Sequence, residues 1–373
     1  MITYYRGAQL YDNGNLIEGF ALAVENGKTI ALLPETDIPK QVTVKTLNGG
    51  VLTPGFIETQ ANGGGGVLVN SDTSETGLSQ IFSGHRQYGT VAMLPTFITD
   101  SKEKYHQAIK NIANAVKNNV PGIIGGHFEG PFLNPEKKGT HQIDYIRQPD
   151  KDDFAVYEQY SEYLQHSILS LAPEKVERGT IAAIKPFIPQ INMAHSQATH
   201  EDIARAYGEG LTGLTHYYNA MRPLSGRDPG PLGSAAEFGL YVGIIPDGIH
   251  SHPYSLASAY RLIGKHHLML VTDSMHTIGT SDIQEFDLMG IKVFVKEDRL
   301  VNEHDSLAGA HINQLQCLHN AIRYMHIDLR TALTMLIKTP ATYVQRPDLA
   351  RIAQRNIEEI IYLDKQLALR NWQ

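Results

Sequence analysis

The chain has 373 residues, 42% of them hydrophobic and 19% charged, with a formal net charge of −7. That is enough to bury a full core, and more than the roughly 250 residues a strand-helix barrel needs, so a second, smaller unit is expected. The mild acidity, the lack of a basic run and the lack of any apolar stretch approaching the ~20 residues of a membrane span argue against nucleic-acid and membrane partners.

The single cysteine, Cys317, lies in an apolar stretch and reads as a buried helix residue. No disulfide can form within the chain, which fits a reducing, cytoplasmic setting. The first residues carry no basic-then-apolar signal pattern.

In chain order, the first 52 residues read as short strands and turns. Asn13-Gly14 is the expected tip of one hairpin. The run 20–24 is a strand, Glu25-Asn-Gly-Lys28 a second hairpin turn, and 29–33 the return strand. From Val51 onward, short apolar strands alternate with longer amphipathic segments, the pattern of βα units in a parallel sheet. Eight strands are expected, over 51–58, 90–97, 123–129, 168–172, 190–195, 211–216, 241–246 and 268–273. Helices are expected between them, as over 104–117 and 200–209, and again over 315–336. The tail over 356–363 reads as a last strand returning to the N-terminal sheet. The fold class is therefore α/β: a (β/α)8, TIM-like barrel over 53–340, with a small β-sandwich domain built from 1–52 and 341–373.

In such barrels the chemistry gathers at the C-terminal ends of the strands. Glu129 ends the third strand, within Gly-Gly-His-Phe-Glu-Gly-Pro-Phe from Gly125 to Phe132. His195 ends the fifth, His216 the sixth and Asp273 the eighth. Either histidine alone reads as a core residue. Together, one Glu and two His supply the oxygen and nitrogen donors that a zinc-type ion accepts, with a position left for water. Asp273 faces that water as proton acceptor and donor. The first strand leads into Gln60-Ala-Asn62-Gly-Gly-Gly-Gly66. Many barrel hydrolases hold a second metal here with a His-x-His pair. Gln60 and Asn62 are weak zinc ligands, so one divalent metal per subunit is expected, and the two amides are counted as substrate contacts. Zinc leads, but iron, nickel and cobalt accept similar ligands. His141 is placed to polarise a carbonyl or hold a substrate hydroxyl, Arg227 suits a phosphate or carboxylate, and His250, ending the seventh strand, is placed to face substrate. His127 shares the face of Glu129 one layer deeper.

These stretches resemble the N-acetylglucosamine-6-phosphate deacetylases of the amidohydrolase superfamily. The resemblance rests on Pro54-Gly-Phe-Ile-Glu58, His127-Phe-Glu-Gly-Pro-Phe-Leu-Asn-Pro135, Lys137-Lys-Gly-Thr-His141, Leu171-Ala-Pro-Glu174, Leu214-Thr-His-Tyr-Tyr-Asn-Ala-Met221, Asp247-Gly-Ile-His250, Leu270-Val-Thr-Asp273 and Leu307-Ala-Gly-Ala310. They run in order over most of the chain. The resemblance implies a metal held by Glu129, His195 and His216, with Asp273 as catalytic acid/base. It implies that Thr140, His141, Asn219, Ala220, Arg227, His250 and the backbone near Leu307 contact an N-acetylhexosamine 6-phosphate. It further implies a homodimer, with the phosphate near the subunit boundary. Ala310 stands where the family usually has Ser, and Pro246 and Ile249 replace its common Ala and Leu. The competing expectations are the galactosamine epimer or another amide as substrate, and a sugar-phosphate-binding protein without catalysis.

Overall fold

Two Asn-Gly pairs set the N-terminal topology. Asn13 and Gly14 have φ of 45° and 88°, and Asn26 and Gly27 have φ of 49° and 73°. Positive φ at both central residues is the tight hairpin geometry that Asn-Gly tolerates best. Each pair accordingly joins antiparallel strands, Gln9–Asp12 to Asn15–Ile17 and Phe20–Glu25 to Lys28–Pro34. The structure is a computed structural model describing residues 1–280, 282–288, 290–297 and 299–373.

The chain ends build two sheets. One is four-stranded, in the order Lys28–Pro34, Phe20–Glu25, Ile2–Arg6, Thr43–Thr46. The other is five-stranded and takes in the C-terminus: Leu369–Arg370, Ile360–Leu363, Val51–Pro54, Gln9–Asp12, Asn15–Ile17. Ile360–Leu363 runs antiparallel to Val51–Pro54. Tyr5, Leu10, Leu22, Leu52, Ile360, Tyr362 and Trp372 form one apolar cluster across both sheets.

Between these ends lies an eight-stranded parallel sheet that follows chain order throughout: Phe56–Ala61, Thr90–Ile98, His127–Glu129, Ile168–Leu171, Gln190–Met193, Gly213–Leu214, Tyr241–Ile244, Leu268–Leu270. It curls until Ala61, at the end of its first strand, forms a parallel bridge with Ser274, beyond the end of its last. The strand expected over 51–58 is two strands, in different sheets, broken at Gly55. A Cβ at Gly55 would lie 2.2 Å from Val91, so only glycine permits this crossing between the sheets.

The helices pack their apolar stripes against the parallel sheet. His200–Glu209 occupies the span expected, started by a reciprocal Thr199–Asp202 capping box and stopped by Gly210 in the left-handed region. Cys317 is fully buried in the helix Gln314–Met325. A three-stranded antiparallel sheet, Glu285–Leu288, Ile291–Lys296 and Arg299–Asn302, is an addition that the strand count did not include. Its Leu288, Val293 and Leu300 pack on Met275 and Ala308. Among the described residues, no helix is long and apolar enough to cross a membrane.

Candidate active site

The four strand-end residues do not all lie within strands. Glu129 does, but His195 and His216 lie two residues beyond theirs and Asp273 three beyond. Their backbones explain why. His195, His216 and Asp273 have φ of 47°, 36° and 50°, in the left-handed region that non-glycine residues avoid. Each such residue costs on the order of 1–3 kcal/mol and persists only where its surroundings hold it.

Those bends bring the side chains together. Glu129 Oε1 lies 3.0 Å from His195 Nε2 and 2.7 Å from His216 Nε2, and the two imidazole nitrogens are 3.2 Å apart. His195 Nδ1 donates to the backbone oxygen of Lys137 at 2.7 Å. A carbonyl can only accept, so a single ring proton would sit on Nδ1 and leave Nε2 bare, pointing at a carboxylate. Two acceptors and a second imidazole nitrogen at such distances call for a positive charge between them. The titration tendencies agree. Burial would lower His216, yet the Glu129 carboxylate drives it up to about 9. Burial would likewise raise Glu129, but His216 and His195 hold it well below the usual carboxylate range. The donor set therefore fits a divalent cation. Ligand atoms of Glu129, His141 and His195 also lie within 4.8 Å of one another. His141 Nδ1 pairs with Thr99 Oγ1 at 2.8 Å, so its other nitrogen is the one available to a ligand. Burial, reinforced by His195, lowers His141 to about 3, and it is neutral.

Asp273 is bound from the first strand. Asn62 Nδ2 donates to its Oδ1 at 2.8 Å and Gln60 Nε2 at 3.1 Å, while the same Gln60 nitrogen lies 3.3 Å from Glu129 Oε2. Burial and the charge of Glu129 raise Asp273 to about 6. The sequence pattern suggested Gln60 and Asn62 as substrate contacts. Here their amides orient the carboxylates, and only Asn62 also reaches the cavity wall.

A cavity of about 200 Å³ opens over this cluster, lined by Asn62, Glu129, His141, His195, His216 and Asp273. Thr140, Asn219, Ala220, His250 and Leu307 complete much of its wall. His250 Nδ1 lies 2.5 Å from Asp247 Oδ2, which fixes its ring. Arg227 is exposed on its loop and does not line this cavity. Gly309, within the Leu307–Ala310 motif, does, and so do Ile98 and Met275, which nothing in the sequence pattern singled out. Thr99 was not expected either; the only sequence signal for it was its place just after the second strand. A larger cleft of about 690 Å³, among Phe82, Arg86, His166 and Glu358, has no comparable convergence of donors.

The loop that carries Thr140 and His141 is anchored beyond the cavity. Arg147 grips the fully buried Asp153 with two hydrogen bonds of 2.6 Å, and His106 adds a third contact at 2.8 Å. The Arg147 guanidinium also lies over the Phe132 ring at 5.3 Å.

Residues 51–357 match the sequence profile of the amidohydrolase family. The chain belongs to the amidohydrolase family. Within it, this amidohydrolase is 38% identical to the N-acetylgalactosamine-6-phosphate deacetylase of Shewanella sp. (strain ANA-3), over 96% of this chain and 91% of the relative. It is 32% identical to the N-acetylglucosamine-6-phosphate deacetylase of Haemophilus influenzae, over 89% of this chain and 87% of that one. Its fold is that of the crystal structure of N-acetylglucosamine-6-phosphate deacetylase from Pasteurella multocida. The TM-score is 0.92 at 30% identity, covering 99% of this chain and 97% of the other.

Proposed function

We propose that this amidohydrolase removes acetate from N-acetyl-D-glucosamine 6-phosphate, giving glucosamine 6-phosphate. The observation that carries the reading is the cluster of Glu129, His195 and His216, with Glu129 Oε1 3.0 Å from His195 Nε2 and 2.7 Å from His216 Nε2, beside Asp273. Glu129, His195 and His216 would hold one divalent metal, zinc first among the candidates. When bound, such an ion polarises a carbonyl and lowers the pKa of water toward ~7.

The chain's own residues do the rest. Asp273 takes the proton of the attacking water and passes it to the departing nitrogen. Gln60 and Asn62 both bond its Oδ1, which directs the other oxygen to this transfer. Neutral His141 donates to the oxygen of the amide as charge develops there. Thr140, Asn219, Ala220 and the backbone at Leu307 orient the sugar, and His250 takes the phosphate. Arg227, exposed on its loop, adds to phosphate binding at a subunit boundary. The rest of the reading is a cytoplasmic homodimer with a closed barrel over 53–340 and a β-sandwich made from 1–52 and 341–373.

A second reading, the galactosamine epimer as preferred substrate, has its own support: the Shewanella relative shares 38% identity and the Haemophilus relative 32%. Acetate release from the two epimers, measured on metal-analysed protein, separates them. No release from either by the metal-loaded protein would overturn the deacetylase reading and favour binding without catalysis.

A further inference from the structure

We infer that Glu58 is a positioning residue for Asp273: with Gln314 it pins the seam of the curled sheet directly behind the proton-transfer group. This inference rests on the deacetylase reading above.

The seam lies between the first strand, Phe56–Ala61, and the last, Leu268–Leu270. Elsewhere neighbouring strands are joined by a parallel ladder, shifted in register only between the first and second strands. Here, among the described residues, the backbones meet at the Ala61–Ser274 bridge and through two hydrogen bonds of 2.8 Å, the Asp273 N–H to Gln60 O and the Asn62 N–H to Ser274 O. Below that level two side chains replace the ladder. Glu58 is fully buried. Its Oε1 accepts the Gln60 N–H at 2.8 Å, and its Oε2 accepts the Thr272 N–H at 3.2 Å and Gln314 Nε2 at 2.7 Å. Gln314, also fully buried, donates to Leu270 O at 3.3 Å as well. One carboxyl and one amide, 256 residues apart in sequence, thus span the gap between the two edge strands.

The placement matters because Asp273 is the next residue after Thr272. Asp273 has a φ of 50°, a conformation that survives only if the chain is held on both sides. On its C-terminal side, Ser274 bridges to Ala61. On its N-terminal side, the Thr272 N–H is held by Glu58, and the Thr272 hydroxyl reaches Gln60 O at 3.3 Å. Glu58 also fixes the backbone of Gln60, whose side chain donates to Asp273. It therefore acts on both ends of the Gln60–Asp273 contact while lying outside the cavity wall. A buried carboxyl is expensive, and the three donors that hold this one are neutral. Burial accordingly raises it to about 7. An apolar residue would serve the core at lower cost, but it could not accept these three hydrogen bonds.

The test is steady-state acetate release by the metal-loaded full chain carrying Glu58→Gln or Gln314→Leu, with metal content measured on the same samples. Loss of the pin misplaces Asp273, so kcat falls roughly 10- to 100-fold, KM stays within about threefold and metal content is unchanged. The double variant loses no more than the worse single variant, because both remove one device. A purely structural role would lower the melting temperature and leave kcat per metal-loaded site intact, and that result overturns the inference. So does a loss of kcat that tracks loss of metal. Should Glu58→Gln fail to fold, Gln314→Leu decides alone, since it leaves the strand sequence untouched. If the wild-type chain releases no acetate from either epimer, the deacetylase reading has failed. If the wild type is active and the variants equal it, only the Glu58 inference has.

Discussion

Asn62 donates its side-chain N–H to Oδ1 of Asp273 at 2.8 Å, tying the end of the first strand of the sheet to a residue three beyond the last. The bond favours the ionised carboxylate, against the burial and the Glu129 charge that raise Asp273 to about 6. Asp273 must be ionised to accept a proton, so kcat falls as pH drops through its pKa. Asn62→Leu removes a donor to the charged form. The acid limb of the kcat profile should therefore move to higher pH, with metal content unchanged. An acid limb in the same place as wild type would show that Asn62 does not tune this carboxylate.

Asp273→Asn keeps the shape and the amide contacts but cannot take a proton. The expected loss in kcat is at least ~100-fold, the lower edge of general acid–base effects. Metal analysis should give the wild-type stoichiometry. Near wild-type turnover would remove Asp273 from the proton path.

Sequence pattern and structure part company at identifiable residues. The Asn-Gly hairpins and the helix His200–Glu209 were readable because turn and cap chemistry is local. The sixth strand was expected over 211–216, but pairing covers only Gly213–Leu214. Apolar periodicity continues to His216, while the ladder stops ahead of its left-handed backbone, and periodicity carries no information about φ. The convergence of Glu129, His195 and His216 could be read because barrel strands present their ends to one face. The service of Gln60 and Asn62 to Asp273 could not, since it depends on contacts more than 200 residues apart in sequence. The added sheet at 285–302 did carry a signal, the alternation of Ile291–Lys296, but it fell outside the eightfold count.

Glu129 is the common partner of both histidines, so its charge is what the cluster is organised around. Removing metal with a chelator should abolish acetate release, and adding it back should restore the rate. Glu129→Gln should bind metal weakly and should not recover on addition. Lewis-acid stabilisation worth several kcal/mol corresponds to a rate loss on the order of 10³-fold. Elemental analysis beside the rate assay checks both statements. Full activity in a chelated sample shown to be metal-free would rule out a metal-dependent reaction.

Asp153 shows how the fold supports the site from a distance. Burial would raise its pKa, but the Arg147 guanidinium, with His106 and the Asp150 backbone, lowers it below the usual value. A carboxylate depressed in this way contributes stability above its unfolded pKa of about 3.9, and that contribution is lost as pH falls through the lower folded value. Asp153→Asn leaves Arg147 without its bidentate partner. Breaking a buried pair in this way costs roughly 3–5 kcal/mol, discounted here because Arg147 keeps 22% of its side chain exposed. The variant should unfold at lower denaturant concentration than wild type at pH 7, and the gap should narrow as pH falls below about 3.9. Because Arg147 anchors the loop bearing Thr140 and His141, KM should rise as well. A denaturation midpoint that matches wild type at neutral pH would mean that the anchor contributes nothing to the fold.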